Sequence, residues 1–435
     1  MFAYIKKALK HEELRRRIIF TLGMLFVYRI GTAITIPAIN SSVLSAGLGT
    51  DSIFGLMNIL GGGSLEQFSL FALGISPYIT ASIVIELLSM DVIPYLANLQ
   101  KEGETGRKKK DRIMRFTAVA LAFFQAFSIT YAFDKQYGLL VTPNVYSYLY
   151  VTIIMVAGTM FAIWMGDQIT NKGVGNGTSL IIFSGIVASL PTSFITTARA
   201  FIDIEGVSKS TTALGIFNYV LFVALYLLIV VFVVFNEGAT RKIPINYASS
   251  SNPMMRTKDS THIPIKINSA GVIPVIFASS LMATPLTIVS FMKSSNVTEW
   301  VKKIFTYTQP IGFCVYIVLI ILFSFFYSNL QIDSNKISTD LKKSNGSIPG
   351  IRQGRETELY ISKVLNRITV LGSIFLVVIA SIPIVIPMIW KTVDSASVTL
   401  GGTGLIIVTG VALETVKQIN TYLTRREYRG YIRKW

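Results

Sequence analysis

The sequence predicts an all-α integral membrane protein: ten transmembrane helices in two inverted five-helix halves, with a central pore and a short re-entrant helix. Three observations carry that prediction. They are apolar runs of spanning length, an internal repeat of helix-breaking signals, and a one-sided distribution of basic residues. Just over half of the 435 residues are hydrophobic (51%) and only 14% are charged, against roughly a quarter charged in an ordinary soluble domain. A spanning helix needs about 20 mostly apolar residues. Runs of that kind occupy 18–37, 70–90, 113–133, 147–166, 179–199, 215–235, 267–290, 311–331, 368–389 and 403–422. Period-2 alternation is absent, so a transmembrane barrel is excluded.

The repeat is read by setting residues 71–90 over 269–280. Gly74 then coincides with Gly271, Pro77 with Pro274, Ile79 with Ile276, Ala81 with Ala278 and Ser82 with Ser279. Residues 177–187 match 402–412 in the same order, with Gly177/Gly402, Thr178/Thr403, Ile182/Ile407 and Gly185/Gly410 aligned. Glycines and prolines align as well as aliphatics, so the pattern marks two related halves, 18–200 and 201–435.

Charge sets the orientation. The formal net charge is +17, with 40 Lys and Arg. With the N-terminus cytoplasmic and sides alternating, 30 of the 40 fall in cytoplasmic tails and loops, six outside, and Arg29, Arg115, Arg199 and Lys417 within the runs. The positive-inside rule therefore predicts ten spans with both termini in the cytoplasm. Span 1 runs outward and span 6 inward, so the halves are inverted about a pseudo-twofold axis in the membrane plane.

In chain order, residues 1–17 space Phe2, Ile5, Leu9 and Leu14 along one face among basic residues, as expected of an amphipathic surface helix. A cleaved signal peptide is excluded by the length of the following apolar run. Arg29 near the outer end of span 1 can snorkel or pair with a neighbour, a structural role. The outer segment 38–69 contains Ile53–Leu60, apolar but too short to span, ending in Gly61, Gly62 and Gly63. Such a half-length segment re-enters the protein or lies at the interface. The glycine-rich run 171–178 forms no complete phosphate loop, and the chain holds no G-x-x-x-x-G-K-[ST] motif. Cytoplasmic loops 236–266 and 332–367 are long and basic, suiting a docking platform better than a small-solute carrier.

Catalytic and metal chemistry find no residues to use. Cys314, the one cysteine, lies in an apolar span, and His11 and His262 sit far apart in polar segments. Neither a catalytic residue, a metal site nor a cofactor is expected. No acid stands at the middle of a span, since Glu86 and Glu414 lie toward cytoplasmic ends. An ion-coupled transporter normally needs such a group. The repeat-related positions are aliphatic instead: Ile79 with Ile276, Ile182 with Ile407. Around a central axis these isoleucines form an apolar constriction, which stops ions by dewetting. Ordinary core packing accounts for the same pattern, and both readings stand at this point.

Several runs carry a resemblance. Phe-Ala-Leu-Gly-Ile-Ser-Pro-Tyr-Ile-Thr-Ala-Ser-Ile (71–83), Lys-Glu-Gly-Glu-Thr-Gly-Arg (101–107) and Gly-Val-Gly-Asn-Gly-Thr-Ser-Leu-Ile-Ile-Phe (173–183) are similar to the SecY family. So are Ser-Thr-His-Ile-Pro-Ile-Lys-Ile-Asn-Ser-Ala-Gly-Val-Ile-Pro (260–274), Pro-Gly-Ile-Arg (349–352) and Leu-Gly-Gly-Thr-Gly-Leu-Ile-Ile-Val (400–408). The resemblance implies a clamshell of two halves and a channel that passes secretory polypeptides across the bacterial plasma membrane and releases hydrophobic segments sideways into lipid. It implies a pore ring of Ile75, Ile79, Thr178, Ile182, Ile276 and Ile407, in which Thr178 departs from the usual aliphatic. The implied plug is about 52–67, with Met57, Asn58, Ile59, Leu60, Gly61, Gly62 and Gly63. A lateral gate between spans 2–3 and 7–8 would carry Thr80, Gln125 and Asn268, hydrogen-bonded between gate helices. Arg241, Lys242 and Arg352 would meet the SecA motor or the ribosome. The loop tip 249–255 is less basic than is common in the family. Implied partners are SecE, SecG, SecA, the ribosome, unfolded precursors with signal sequences, anionic lipids and a YidC-type insertase. The competing expectation is a secondary transporter of small solutes on an inverted-repeat fold.

Overall fold

The computed structural model describes residues 11–40, 61–65, 67–89, 93–202, 209–247, 262–289, 296–306, 309–389 and 395–432. The expected surface helix at 1–10, the plug residues Met57–Leu60 and the loop tip 249–255 lie outside the described residues.

The first half contains α1 (Glu12–Ala33), α2 (Ser76–Leu88), α3 (Pro94–Lys101), α4 (Glu104–Tyr137), α5 (Val145–Lys172) and α6 (Gly177–Ile202). The second contains α7 (Lys209–Gly238), β1 (Thr240–Pro244), β2 (Asn246–Tyr247), β3 (His262–Lys266), α8 (Ile273–Val289) and α9 (Asn296–Phe305). It continues through α10 (Pro310–Gln331), α11 (Ser334–Lys343), β4 (Gly346–Ser347), α12 (Arg355–Ile389) and α13 (Ser395–Ile432). Every apolar run read from the sequence falls on one of these helices. Six helical stretches among the described residues are long and apolar enough to cross a membrane, and two apolar helices, Ser76–Leu88 and Ile273–Met282, are shorter. This is a multi-pass helical membrane protein.

The two short helices are the ones that carry the repeat, and they start alike. Gly74 has φ +53° and Gly271 φ +63°, a left-handed conformation natural to glycine. Each helix then begins within two residues, with Pro77 and Pro274 in its first turn, where a missing N–H costs nothing. The glycine–proline spacing thus encodes a turn followed at once by a helix start, used twice.

Helix α1 runs unbroken through residue 17, so residues 12–17 belong to the same helix as the first apolar run. Its acidic first turn pairs Glu12 with Arg16 (2.8 Å) and Glu13 with Arg17 (3.6 Å), exposed i,i+4 pairs worth a few tenths of a kcal/mol. Helix α4, at 34 residues, is roughly 50 Å long by its rise per residue, well beyond a hydrocarbon core of about 30 Å. The basic run 107–112 occupies that extension. Gly138, in the left-handed region, closes α4 by donating its N–H to the Asp134 carbonyl.

Helices in lipid approach closely where side chains are small. Gly158 of α5 lies against the Leu70 carbonyl, and Gly177 at the start of α6 against the Gly166 carbonyl, with no space for a Cβ at either. The glycine-rich run before α6 is therefore a packing device. It is held from both sides: Val174 N–H donates to Thr21 Oγ1 of α1, and Gly175 N–H to Gln418 Oε1 of α13, each at 3.0 Å.

The two long loops are not loose. β1 pairs antiparallel with β3 inside loop 236–266, and β2 pairs with β4 of loop 332–367. Ile243, Ile245 and Ile265 from the first loop pack with Leu341 and Ile348 from the second and with Ile361, Leu365 and Ile368 of α12. Two stretches read from the sequence as separate loops form one body with its own apolar core.

Candidate functional site: an apolar ring and its gate

Helices α2, α6, α8 and α13 converge on one apolar cluster. It contains Ile75, Ile182, Ile276 and Ile407, all buried, with Ile79 packed against it. Five of the six expected ring residues, drawn from both halves, therefore meet. Ile75 sits at the N-cap of α2 and Ile79 one turn on, so the break before that helix fixes where both fall. Ile182 and Ile276 come from the first two turns of α6 and α8, whereas Ile407 lies twelve residues into α13.

Thr178 stands one turn before Ile182 on α6. Its hydroxyl donates to Asn176 Oδ1 at 2.8 Å and its N–H to the same oxygen at 3.2 Å. Asn176 therefore satisfies both polar groups locally, and a half-buried threonine here leaves no orphan donor.

The expected plug residues divide. Gly61, Gly62 and Gly63 are described, and Gly62 and Gly63 have φ +69° and +83°. The Gly62 carbonyl accepts from Arg29 Nη1 at 3.3 Å, so Arg29 pairs with a neighbour.

The three expected gate residues do not bond to one another. Thr80 Oγ1 donates to the Ser76 carbonyl of its own helix at 3.2 Å. Gln125 Oε1 is buried with no hydrogen-bond partner among the described residues. Asn268 Nδ2 donates to Glu237 Oε1 at 2.7 Å and to the Gly271 carbonyl at 3.1 Å, contacts inside the second half. A short hydroxyl side chain on a helix is readily satisfied by the carbonyl a turn back, which accounts for Thr80; Asn268 instead reaches across to α7.

The halves are joined elsewhere. Ile83 of α2 is buried with Val275, Phe277 and Ala278 of α8 and with Phe323 of α10, and Ile79, Leu87 and Tyr327 pack on the same cluster. The Tyr327 hydroxyl hydrogen-bonds the Glu86 carboxylate of α2, while its ring stands edge-on to Phe277 at 5.5 Å. Sequence reasoning noticed Glu86 but not Tyr327. The signal was an acid near a span end, which needs a donor, and nothing in the sequence points to one 241 positions away.

On the body formed by the two long loops, Arg241 and Lys242 lie on β1, opposite Ile265 and Pro264 of β3, and both are exposed. Arg352, also exposed, follows β4. The β2–β4 pair brings the two loops together, so three cations sit on one folded unit.

The family model described as SecY matches residues 69–416. Protein translocase subunit SecY of Bacillus licheniformis is 44% identical over 437 residues, covering 100% of both chains. Among solved structures, a protein-conducting channel superposes with a TM-score of 0.66 at 17% identity, over 94% of this chain and 92% of its own. Sec61 in the canine ribosome–channel complex from the endoplasmic reticulum gives 0.64 at 18% identity, with the same coverage. The structural likenesses establish the fold; the family match over most of the chain, with the full-length identity to a relative, establishes the rest: this chain belongs to the SecY family.

Proposed function

We propose that the protein is a gated protein-conducting channel that moves secretory polypeptides across the bacterial plasma membrane and releases hydrophobic segments sideways into lipid. It is not an enzyme. The observation that carries the reading is the meeting of Ile75, Ile79, Ile182, Ile276 and Ile407 from both halves in one apolar cluster. In lipid, clustering of aliphatic side chains gains nothing by hydrophobicity, because acyl chains are as apolar as isoleucine. Along a water-accessible passage it does: each isoleucine kept from water is worth about 1.5–3 kcal/mol. A ring of this kind blocks ions by dewetting and yields to a polypeptide thread. Thr178 makes one edge of it more polar.

The gate runs between α2 and α4 on one side and α8 and α10 on the other, with Thr80, Gln125 and Asn268 as its polar positions. Ile83 and the Glu86–Tyr327 bond hold it closed. A signal helix enters because it prefers lipid to water, and Gln125 offers it an unused acceptor. The short segment from Met57 through Gly63 acts as the plug. Both termini are cytoplasmic, on the strength of the charge asymmetry, and the halves are an inverted repeat.

Arg241, Lys242 and Arg352 form the docking face for SecA or a ribosome; the structural relative in the canine complex supports the ribosome. SecE and SecG complete the channel. A partner shifts the closed–open equilibrium only through differential affinity for the two states. The small-solute transporter reading has no support among the relatives.

The test is a crosslink. In a Cys314→Ser background, a lone cysteine at Ile276 is combined with a secretory precursor stalled in transit and carrying its own cysteine. A disulfide is expected. With the precursor demonstrably engaged, absence of crosslinks at Ile276, Ile79 and Ile407 would place the passage elsewhere.

A further inference from the structure

A guanidinium within a membrane-spanning helix is costly unless it meets an acceptor. Arg29 of α1 meets one: Nη1 donates to the Gly62 carbonyl at 3.3 Å. Gly62 in turn lies backbone-to-backbone on α6. A Cβ there would come within 2.6 Å of Gly185 Cα and 2.9 Å of its carbonyl oxygen, at a φ of +69° that already favours glycine. Gly185 is placed between Ile182 and Ile186, both in the apolar ring cluster, and the residue beside Arg29, Tyr28, belongs to that cluster too. Tyr28 stacks on Phe71 at 5.0 Å, which tethers the far end of the strap to the same place. Just past the three glycines, Ser64 is fully buried, and its carbonyl accepts from Ser69 N–H at 3.0 Å and Ser69 Oγ at 3.1 Å.

We propose that Arg29 is a positioning residue that clamps the Gly61–Gly63 strap onto Gly185, against the apolar ring. The inference rests on the ring being the channel's constriction. The chemistry needs an arginine, whose planar fork reaches a carbonyl with a fixed geometry, where lysine offers a single flexible ammonium. It needs a glycine at 62, because no other residue combines that φ with so close an approach. The clamp is a single hydrogen bond on a flexible strap, so it holds the strap at rest and releases it for a modest cost.

Ser64→Cys in the Cys314→Ser full-length chain, assembled with its partner subunits in membranes, reports the strap position. A membrane-impermeant maleimide is added from outside. Slow labelling is expected in the parent, labelling roughly tenfold faster in Arg29→Ala and in Gly62→Ala, and partial protection restored by Arg29→Lys. A second probe, Ala380→Cys, sits in a buried cluster that includes no residue next to the strap and must stay protected throughout. Parent-like protection of position 64 in Arg29→Ala overturns the proposal, as does equal labelling at position 380, which signals general loosening. If Arg29→Ala fails to assemble, Arg29→Lys and Gly62→Ala decide by the same criterion. Ion leak measured alongside separates the two ideas: faster labelling without added leak keeps the clamp and counts against the constriction.

Discussion

Asn268 and Glu237 are both buried, and Asn268 Nδ2 donates to Glu237 Oε1 at 2.7 Å. The bond ties the end of α7 to the turn that launches α8, so α8 starts from a fixed point. Asn268→Ala leaves the Glu237 carboxylate without that donor and is expected to destabilise by about 1–3 kcal/mol. Replacing both partners with apolar residues should recover part of the loss. Thermal unfolding of the purified protein in detergent measures each arm.

The apolar ring gives a second expectation. Serine at Ile182, Ile276 and Ile407 together should raise resting ion conductance by roughly tenfold or more, the factor that ~1.4 kcal/mol off the barrier produces. Thr178→Ile should lower it. Single-channel recording in a planar bilayer decides; unchanged conductance would mean the cluster is ordinary packing.

Close helix approach gives a third. Gly158→Ala pushes a methyl into the Leu70 carbonyl, and overpacking of this kind costs about 1–3 kcal/mol. Gly23, with nothing within 4 Å of an added Cβ, is the control: Gly23→Ala should be neutral or slightly stabilising. Equal effects of the two would remove the steric argument.

On the body formed by the two long loops, Asp333 Oδ1 accepts from Asn335 N–H and Lys336 N–H at 3.0 and 3.1 Å, capping α11. Asp333→Ala should cost about 1 kcal/mol, felt locally. Faster amide exchange confined to 334–343 is the expected signature.

What could be read beforehand followed from period and punctuation. A ten-fold recurrence of apolar runs marks helices whatever they pack against, and the Gly74/Pro77 and Gly271/Pro274 spacing marks a backbone feature that few residues can make. The apolar cluster was legible for the same reason, since aligned repeats place Ile79 with Ile276 and Ile182 with Ile407. Contacts set by the third dimension were not. Thr80, Gln125 and Asn268 were expected to hydrogen-bond between gate helices; Thr80 bonds a carbonyl four residues back, Gln125 Oε1 has no partner among the described residues, and Asn268 bonds Glu237 of α7. Sequence spacing does not rank nearness across helices. The Glu86–Tyr327 bond and the folding of loops 236–266 and 332–367 onto one another escaped for the same reason. Two-residue strands such as Asn246–Tyr247 are too short to leave an alternation to read.

The pairing of Asn246 with Ser347 and Tyr247 with Gly346 has a mechanical consequence. Because that ladder and the isoleucine core beneath it join the two loops, a load applied at Arg352 is shared at once with the segment bearing Arg241 and Lys242. From β3 the chain passes directly through Ile267, whose carbonyl lies against Gly372 of α12, to Asn268 and then α8. A stiff unit thus ends at the root of α8, so force delivered to the joined loops reaches that helix with little slack to absorb it.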